Sequence, residues 1–289
     1  MIVVFGSINI DLIFPVTHLP APGETVLGGD YTIAPGGKGA NQALAARRAG
    51  SEVTMIGAVG RDGFAGSALA LLGRNGVDLS LVATTDRPTG CAAIAVDPRG
   101  ENLIAVACGA NLDVVAARVP DRLLGPETTL VLQREISIGE NAILIERARA
   151  RNTRIVLSLA PAGPLAPARI DDIDIIIANE GEAATLGIDA ARETRQALVV
   201  TRGAAGAFAY LPDGGRIAVP ALSIAPIDTT GAGDTFAGAL AAGLDQGLAL
   251  DDALRRASAA AALTCLAIGA QSAMPERTDI DAAIKRLPL

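Results

Sequence analysis

One stretch constrains this chain more than any other: Asp228-Thr229-Thr230-Gly231-Ala232-Gly233-Asp234-Thr235-Phe236, followed at once by an apolar, alanine-rich run. A polar, glycine-rich segment leading into such a run predicts a loop entering a buried helix. Two glycines within three positions let the backbone turn tightly and approach a ligand with no side chain in the way. The first N–H groups of a helix have no intrahelical partner and sit at the positive end of its dipole, so the segment predicts an anion site. Asp234 beside that site repels an anion unless it has chemistry to perform or a metal to hold. Phosphoryl transfer needs both features: donors for the phosphate, and a carboxylate that orients the attacking hydroxyl and takes its proton. The same residues also fit a plain helix cap with a glycine turn, so the rest of the chain has to decide.

The 289 residues, half of them hydrophobic, are enough for one large domain with a substantial core. A net charge of −7 with no basic stripe, and only 2% aromatic residues, argue against a nucleic-acid partner. His18 is the single histidine, which leaves little to build a histidine-based triad or a multi-histidine metal site. Cys91, Cys108 and Cys265 lack metal-ligand spacing and fit free thiols in a reducing cytoplasm. Met1 leads into a short apolar run that Asp11 interrupts, which is not the pattern of a secretory leader. The longest uncharged run, Ala257 to Pro275, is mostly alanine and predicts a buried helix, not a membrane span.

In chain order, Ile2 to Phe5 predicts a buried strand. Asn9 and Asp11 follow, two apart, so in extended backbone they share a face. That pair suits gripping hydroxyl groups, or an Asx turn. Residues 12 to 35 carry four prolines and short β-prone pieces, an excursion from the main body. Gly36-Gly37-Lys38-Gly39-Ala40-Asn41 opens a helix reaching about Ala49; it lacks Walker A spacing. Lys38 and Asn41 suit a polyol, or a tight turn with the lysine in solvent. Val53 to Val59 predicts a strand and Phe64 to Asn75 a helix, the rhythm of an α/β domain. Cys91 to Val96 and Leu103 to Ala107 predict a hairpin. With the excursion at 12 to 35 it makes an accessory sheet, a lid whose apolar face invites a second copy of the chain.

Thr129 to Leu132 predicts a strand delivering Gln133 and Glu135 at its carboxyl end. Strands at Arg154 to Leu159 and Ile173 to Ala178 follow. Asn179-Glu180-Gly181-Glu182 lies after the latter, where open α/β sheets bind ligands; it suits magnesium, directly or through water, or a helix N-terminus rich in acid. Ala197 to Thr201 is a strand, and Phe208 to Leu211 with Arg216 to Val219 a hairpin. Helices are predicted at Ala232 to Leu244, Asp251 to about Ala267, and Asp279 to Arg286.

Five segments, in order, resemble one family: Gly6-Ser7-Ile8-Asn9-Ile10-Asp11, Pro22-Gly23-Glu24-Thr25-Val26, the Gly36 to Asn41 segment, Asn179-Glu180-Gly181-Glu182, and the Asp228 to Phe236 stretch. Together they are similar to the ribokinase, or PfkB-type, carbohydrate kinases, with the first and third closest to the ribokinase branch. The resemblance implies a three-layer α/β sandwich around a mostly parallel sheet with a small β-lid, as one domain over residues 1 to 289. It implies ATP-dependent phosphorylation of a sugar's primary hydroxyl, D-ribose foremost, with another sugar or nucleoside kinase, or a non-catalytic binding regulator, as alternatives. Asp234 would be the base, with Gly231, Ala232 and Gly233 forming the anion hole. Asn9, Asp11, Gly37, Lys38, Asn41 and Glu135 would hold the sugar. Asn179, Thr201, Gly203, Gly206 and Gly233 would line the nucleotide site, with Asn179 and Glu182 near Mg2+. A monovalent cation, K+, would sit at Asp228, Thr230, Thr264, Ala267 and Gly269. The chain departs from the family pattern in three places: Ala273 where a serine ligates the cation, Ser158-Leu159 before Ala160-Pro161-Ala162, and Ser258 where a histidine often nears adenine.

Overall fold

The computed structural model describes residues 1–163, 167–185 and 196–287. The elements run β1 (Ile2–Phe5), β2 (Asn9–Pro15), β3 (Thr32–Gly36), α1 (Lys38–Arg48), β4 (Val53–Ile56), β5 (Ala58–Gly60), α2 (Ala65–Arg74), β6 (Ala83–Thr85), β7 (Gly90–Val96) and β8 (Asn102–Ala107). They continue with β9 (Thr129–Leu132), α3 (Ile138–Arg149), β10 (Arg154–Ser158), β11 (Ile175–Asn179), α4 (Glu180–Thr185), β12 (Ala197–Thr201), β13 (Ala207–Tyr210), β14 (Arg216–Val219), α5 (Ala232–Asp245), α6 (Leu250–Thr264) and α7 (Arg277–Ile284).

Eight strands form the central sheet in the order β14-β13-β12-β11-β10-β9-β1-β4. It is parallel from β4 to β12, and β13 and β14 close it as an antiparallel edge. Its inner strands are apolar nearly throughout because both faces are covered. The two-residue period sorts them. Ile2, Val4, Val131, Val156 and Val199 pack with α1, α5 and α6 on one face. Val3, Phe5, Leu130, Leu132 and Leu157 pack with α3 on the other. Three layers result, with the carboxyl ends of β1, β9, β11 and β12 on one rim.

The segment predicted as one strand from Val53 to Val59 is two. The chain leaves the central sheet after Ile56, and Ala58–Gly60 pairs with β6 in a separate two-stranded sheet. Hydrophobic run length does not reveal such a change of partner, since both halves are buried. The helix predicted to reach Ala267 stops at Thr264, because the Cys265 carbonyl turns to accept the N–H of Ile227 at 2.7 Å. No helix among the described residues is long and apolar enough to cross a membrane.

A second sheet has the order β3-β2-β7-β8, so the excursion and the hairpin pair with each other. Every residue of β8 is exposed, including Leu103, Ile104 and Val106. Asn9 and Asp11 lie on β2, so this sheet carries two predicted site residues directly.

Candidate functional site

Two glycine loops face each other across the carboxyl rim. The first enters α1. Gly37 has φ 90°, and a Cβ there would fall 2.7 Å from the Asn9 nitrogen, so only glycine lets this turn lie against residues 7–9. The loop is tied down by Glu135: its Oε2 accepts from the Lys38 N–H at 3.0 Å and from Ser7 Oγ at 2.6 Å. The second loop enters α5 through Gly231, which is left-handed at φ 76°. Asp228 braces it. Its Oδ1 accepts from the Thr230 N–H and Oγ1 (2.9 and 2.6 Å), and its Oδ2 accepts from the Gly269 N–H at 2.8 Å. Of the three predicted anion-hole donors, Ala232 N–H points at the Thr229 carbonyl 3.2 Å away. A side chain at Gly233 would meet only open space, so a ligand can approach the helix end there.

Asp234 lies in the first turn of α5 with its side chain buried. Its Oδ2 accepts from Asn41 Nδ2 at 2.9 Å and its Oδ1 from Gln42 Nε2 at 3.2 Å. Burial pushes its carboxyl above the usual range, and Lys38 and the two amides pull the other way. Asp11 is raised to about 6, first by burial and then by Glu135 and Asp234, with Lys38 opposing. Lys38 is raised, with Asp234 the largest cause and burial opposing. Asn9, Asp11, Lys38, Asn41, Glu135 and Asp234 therefore gather in one polar recess, three carboxylates around one ammonium. A neutral polyol suits it; a second anion would meet net negative charge.

Beside this recess lies a cavity of about 510 Å³. Asn179, Thr201, Gly203, Gly206 and Gly233, all predicted for the nucleotide, line it. Ser258, Ala262 and Cys265 form an apolar-to-neutral wall, and the Ser258 hydroxyl donates to the Pro220 carbonyl at 2.8 Å. Gly233 belongs to the cavity and Asp234, the next residue, to the recess, so the start of α5 divides the two.

Asn179 and Glu182 cap α4 reciprocally: the Asn179 N–H donates to Glu182 Oε2 at 2.9 Å, and the Glu182 N–H to Asn179 Oδ1 at 2.8 Å. One Glu182 oxygen is left outside that pairing. Among the described residues there is no group of three or more His, Cys, Asp or Glu that could hold a metal. This donor set suits magnesium that keeps most of its waters, not a caged ion. At the expected monovalent-cation positions, the Thr264 hydroxyl lies within donating distance of Thr235 Oγ1 (3.0 Å) and the Ala260 carbonyl (3.1 Å).

Three site residues escaped sequence reasoning. Asn111 accepts from the Ile8 N–H at 2.9 Å and donates to Asn9 Oδ1 at 2.7 Å, which turns the Asn9 amide nitrogen away from it. Gln42 and Gln271 reach Asp234, the latter through Asn41. Gln42 stands one residue beyond the glycine segment, the only signal it carried. Asn111 and Gln271 carried none.

Comparison with known proteins shows the fold and the family. The chain is 36% identical over 295 residues to a ribokinase of Lactococcus lactis, covering 99% of this chain and 97% of that one. The structure of a ribokinase from Thermotoga maritima superposes with a TM-score of 0.90 at 28% identity, covering 98% of this chain and 99% of the other. That of Arabidopsis thaliana ribokinase complexed with ribose and ATP superposes with a TM-score of 0.87 at 28% identity, covering 98% of each. The profile of the pfkB family carbohydrate kinases matches residues 1–277, and the chain belongs to that family.

Proposed function

We propose that this chain transfers the γ-phosphate of ATP to the primary hydroxyl of D-ribose, giving ribose 5-phosphate. The observation that carries the reading is the place of Asp234: a buried carboxylate at the boundary between a polar recess and a cavity that suits a nucleotide. The sugar lies in the recess, its hydroxyls donating to Asp11 and Glu135 and accepting from Lys38, Asn9 and the second Asn41 Nδ2 hydrogen. Asp234 orients the primary hydroxyl and takes its proton late, because a loose phosphoryl-transfer transition state leaves that hydroxyl acidic only as the bond forms. The backbone N–H groups of Gly231, Ala232 and Gly233 face the charge that develops on the transferred phosphoryl group, which requires the Ala232 N–H to turn from Thr229. Magnesium, held through water by Glu182 and Asn179, supplies charge neutralisation on the phosphates. A monovalent cation fits Asp228 and the carbonyls of Thr230, Thr264, Ala267 and Gly269; Ala273 brings it no hydroxyl.

The relatives named ribokinase support ribose, and so does the recess, which gathers polar side chains that suit hydroxyl groups. Assay of ATP-dependent phosphorylation over pentoses, hexoses and nucleosides, with and without magnesium and potassium, tests this. Ribose is expected to give the highest kcat/KM, with turnover dependent on magnesium. Preferential phosphorylation of inosine or adenosine would overturn the ribose reading, and no turnover on any acceptor would favour a binding regulator.

The β3-β2-β7-β8 sheet is the lid in this reading, and a second copy of the chain covers its exposed apolar strand. Ile104→Lys, at a position 53% exposed, is expected to shift the protein from dimer to monomer in sedimentation at micromolar concentration. A wild-type protein that sediments as a monomer would contradict the pairing.

A further inference from the structure

Asp234 is held by more than its immediate neighbours. Asn41 Nδ2 and Gln42 Nε2 each donate to one carboxylate oxygen, and Gln271 Nε2 donates to Asn41 Oδ1 at 3.1 Å. Direction is determined at every step. An ionised carboxylate only accepts, so Asn41 must present its NH2 and turn its oxygen back. That oxygen only accepts, so Gln271 must present its NH2. All of these side chains are buried, Gln42 and Gln271 at 0% and 1% exposure. The Oε1 atoms of both glutamines find no partner among the described residues. A methionine would fill the same space without burying an uncompensated carbonyl, so packing alone does not select glutamine at either place.

The scaffold is arranged to bring these amides in. Gly238 lies one turn after Asp234 on α5, and a Cβ there would collide with the Gln42 carbonyl and with Ala45. Its absence lets α1 press against α5 beside the carboxylate. Arg48, at the far end of α1, donates to the carbonyls of Gln271 (3.1 Å) and Met274 (2.6 Å) and so anchors the segment that carries Gln271.

We propose that Gln42 and Gln271 are positioning residues for phosphoryl transfer: Gln42 directly, and Gln271 through Asn41, set the plane of the Asp234 carboxylate before the sugar arrives. The proposal rests on the reading of Asp234 as the base. With one lone pair on each oxygen engaged by an amide, the remaining ones are left for the substrate hydroxyl. The charged groups that act on Asp234 are Lys38 on α1, Glu135 after β9 and Asp11 on β2, and none of them is altered by changing the glutamines.

Steady-state kinetics on the full-length Gln42→Met and Gln271→Met variants test this, with ribose and ATP. Loss of aim at the reacting group is expected to lower kcat by about 10- to 100-fold, with KM for the sugar changed less than about threefold. In an Asn41→Ala background Gln271→Met is expected to lower kcat no further, since the middle of the relay is gone. Gln42→Asn and Gln271→Asn, which keep an amide but withdraw it by one methylene, give the same test where a methionine variant does not fold. Near wild-type kcat in all four variants would overturn the proposal, as would full additivity of Gln271→Met with Asn41→Ala. Asp234→Ala, assayed alongside, separates the two readings. If it is inactive while the glutamine variants are fully active, only the positioning fails; if it remains active, the assignment of the base fails.

Discussion

Replacing Asp234 with alanine is expected to lower kcat by about 10²- to 10⁴-fold, the range of a lost general base, while sugar affinity measured by calorimetry stays within about tenfold. The split follows from geometry. In the proposed reading Asp234 contributes one hydrogen bond to a sugar that Asp11, Glu135, Lys38 and Asn9 also hold, but it alone stands beside the start of α5 and the cavity. Alanine is a cleaner probe than asparagine. Asn41 and Gln42 both donate to residue 234, and an asparagine there would turn a donor toward one of them. Burial raises the Asp234 carboxyl, so the acid limb of the wild-type kcat profile is expected above the ordinary carboxylate range of about 3.9. A variant with turnover near that of wild type would refute the role.

Asp11→Asn is expected to stabilise the protein at pH 8 while weakening sugar binding. The Asp11 carboxyl is raised from 3.8 to about 6 by burial and by Glu135 and Asp234. A carboxylate with a folded pKa above its unfolded one binds more protons in the folded state between those two values. Stability is therefore lost as pH rises from about 4 to 6, and the lost amount persists above 6. Two pKa units are worth about 3 kcal/mol at most. Asparagine carries no charge and avoids this penalty. The melting temperature of Asp11→Asn is expected to exceed that of wild type by about 5 °C at pH 8, and to equal it below pH 4. Affinity moves the other way. A charged acceptor is worth about 1.5–3 kcal/mol to a donor, so the sugar KM is expected to rise about 10- to 100-fold. Equal melting temperatures at pH 8 would show that the folded protein does not carry the buried charge as a cost.

Both expectations place the site's energy in a cluster of like charges held together by the fold. Asp11, Glu135 and Asp234 come from β2, the loop after β9 and α5, and Lys38 stands among them. Such a cluster disfavours the empty protein and favours one whose hydroxyl-bearing ligand satisfies the carboxylates, the usual exchange of stability for function.

Much of this was legible from the residues because the two loops admit few alternatives. Gly37 and Gly231 take backbone angles that other residues rarely adopt, and each opens an alanine-rich helix that only a tightly packed interior accommodates. The central strands declared themselves as short apolar runs because both faces are covered. What stayed hidden depends on contacts across the chain. Gln271 is 230 residues from Asn41, and no local pattern announces such a pair. Asn111 is 102 residues from the Asn9 it orients. The break between β4 and β5 is a choice between two sheets that bury the same kind of side chain. At Asn179 and Glu182 the structure shows the helix N-terminus, a reciprocal cap of α4 that leaves one carboxylate oxygen outside the pairing.

A crystal structure of the protein with ribose and a non-hydrolysable ATP analogue tests the central claim most directly. A carboxylate oxygen of Asp234 is expected within about 3 Å of the sugar's primary hydroxyl, with that hydroxyl facing the terminal phosphate in line and the phosphate against the start of α5. A sugar bound with its primary hydroxyl turned away from Asp234, or a nucleotide whose terminal phosphate lies outside the cavity beside Gly233, would contradict it.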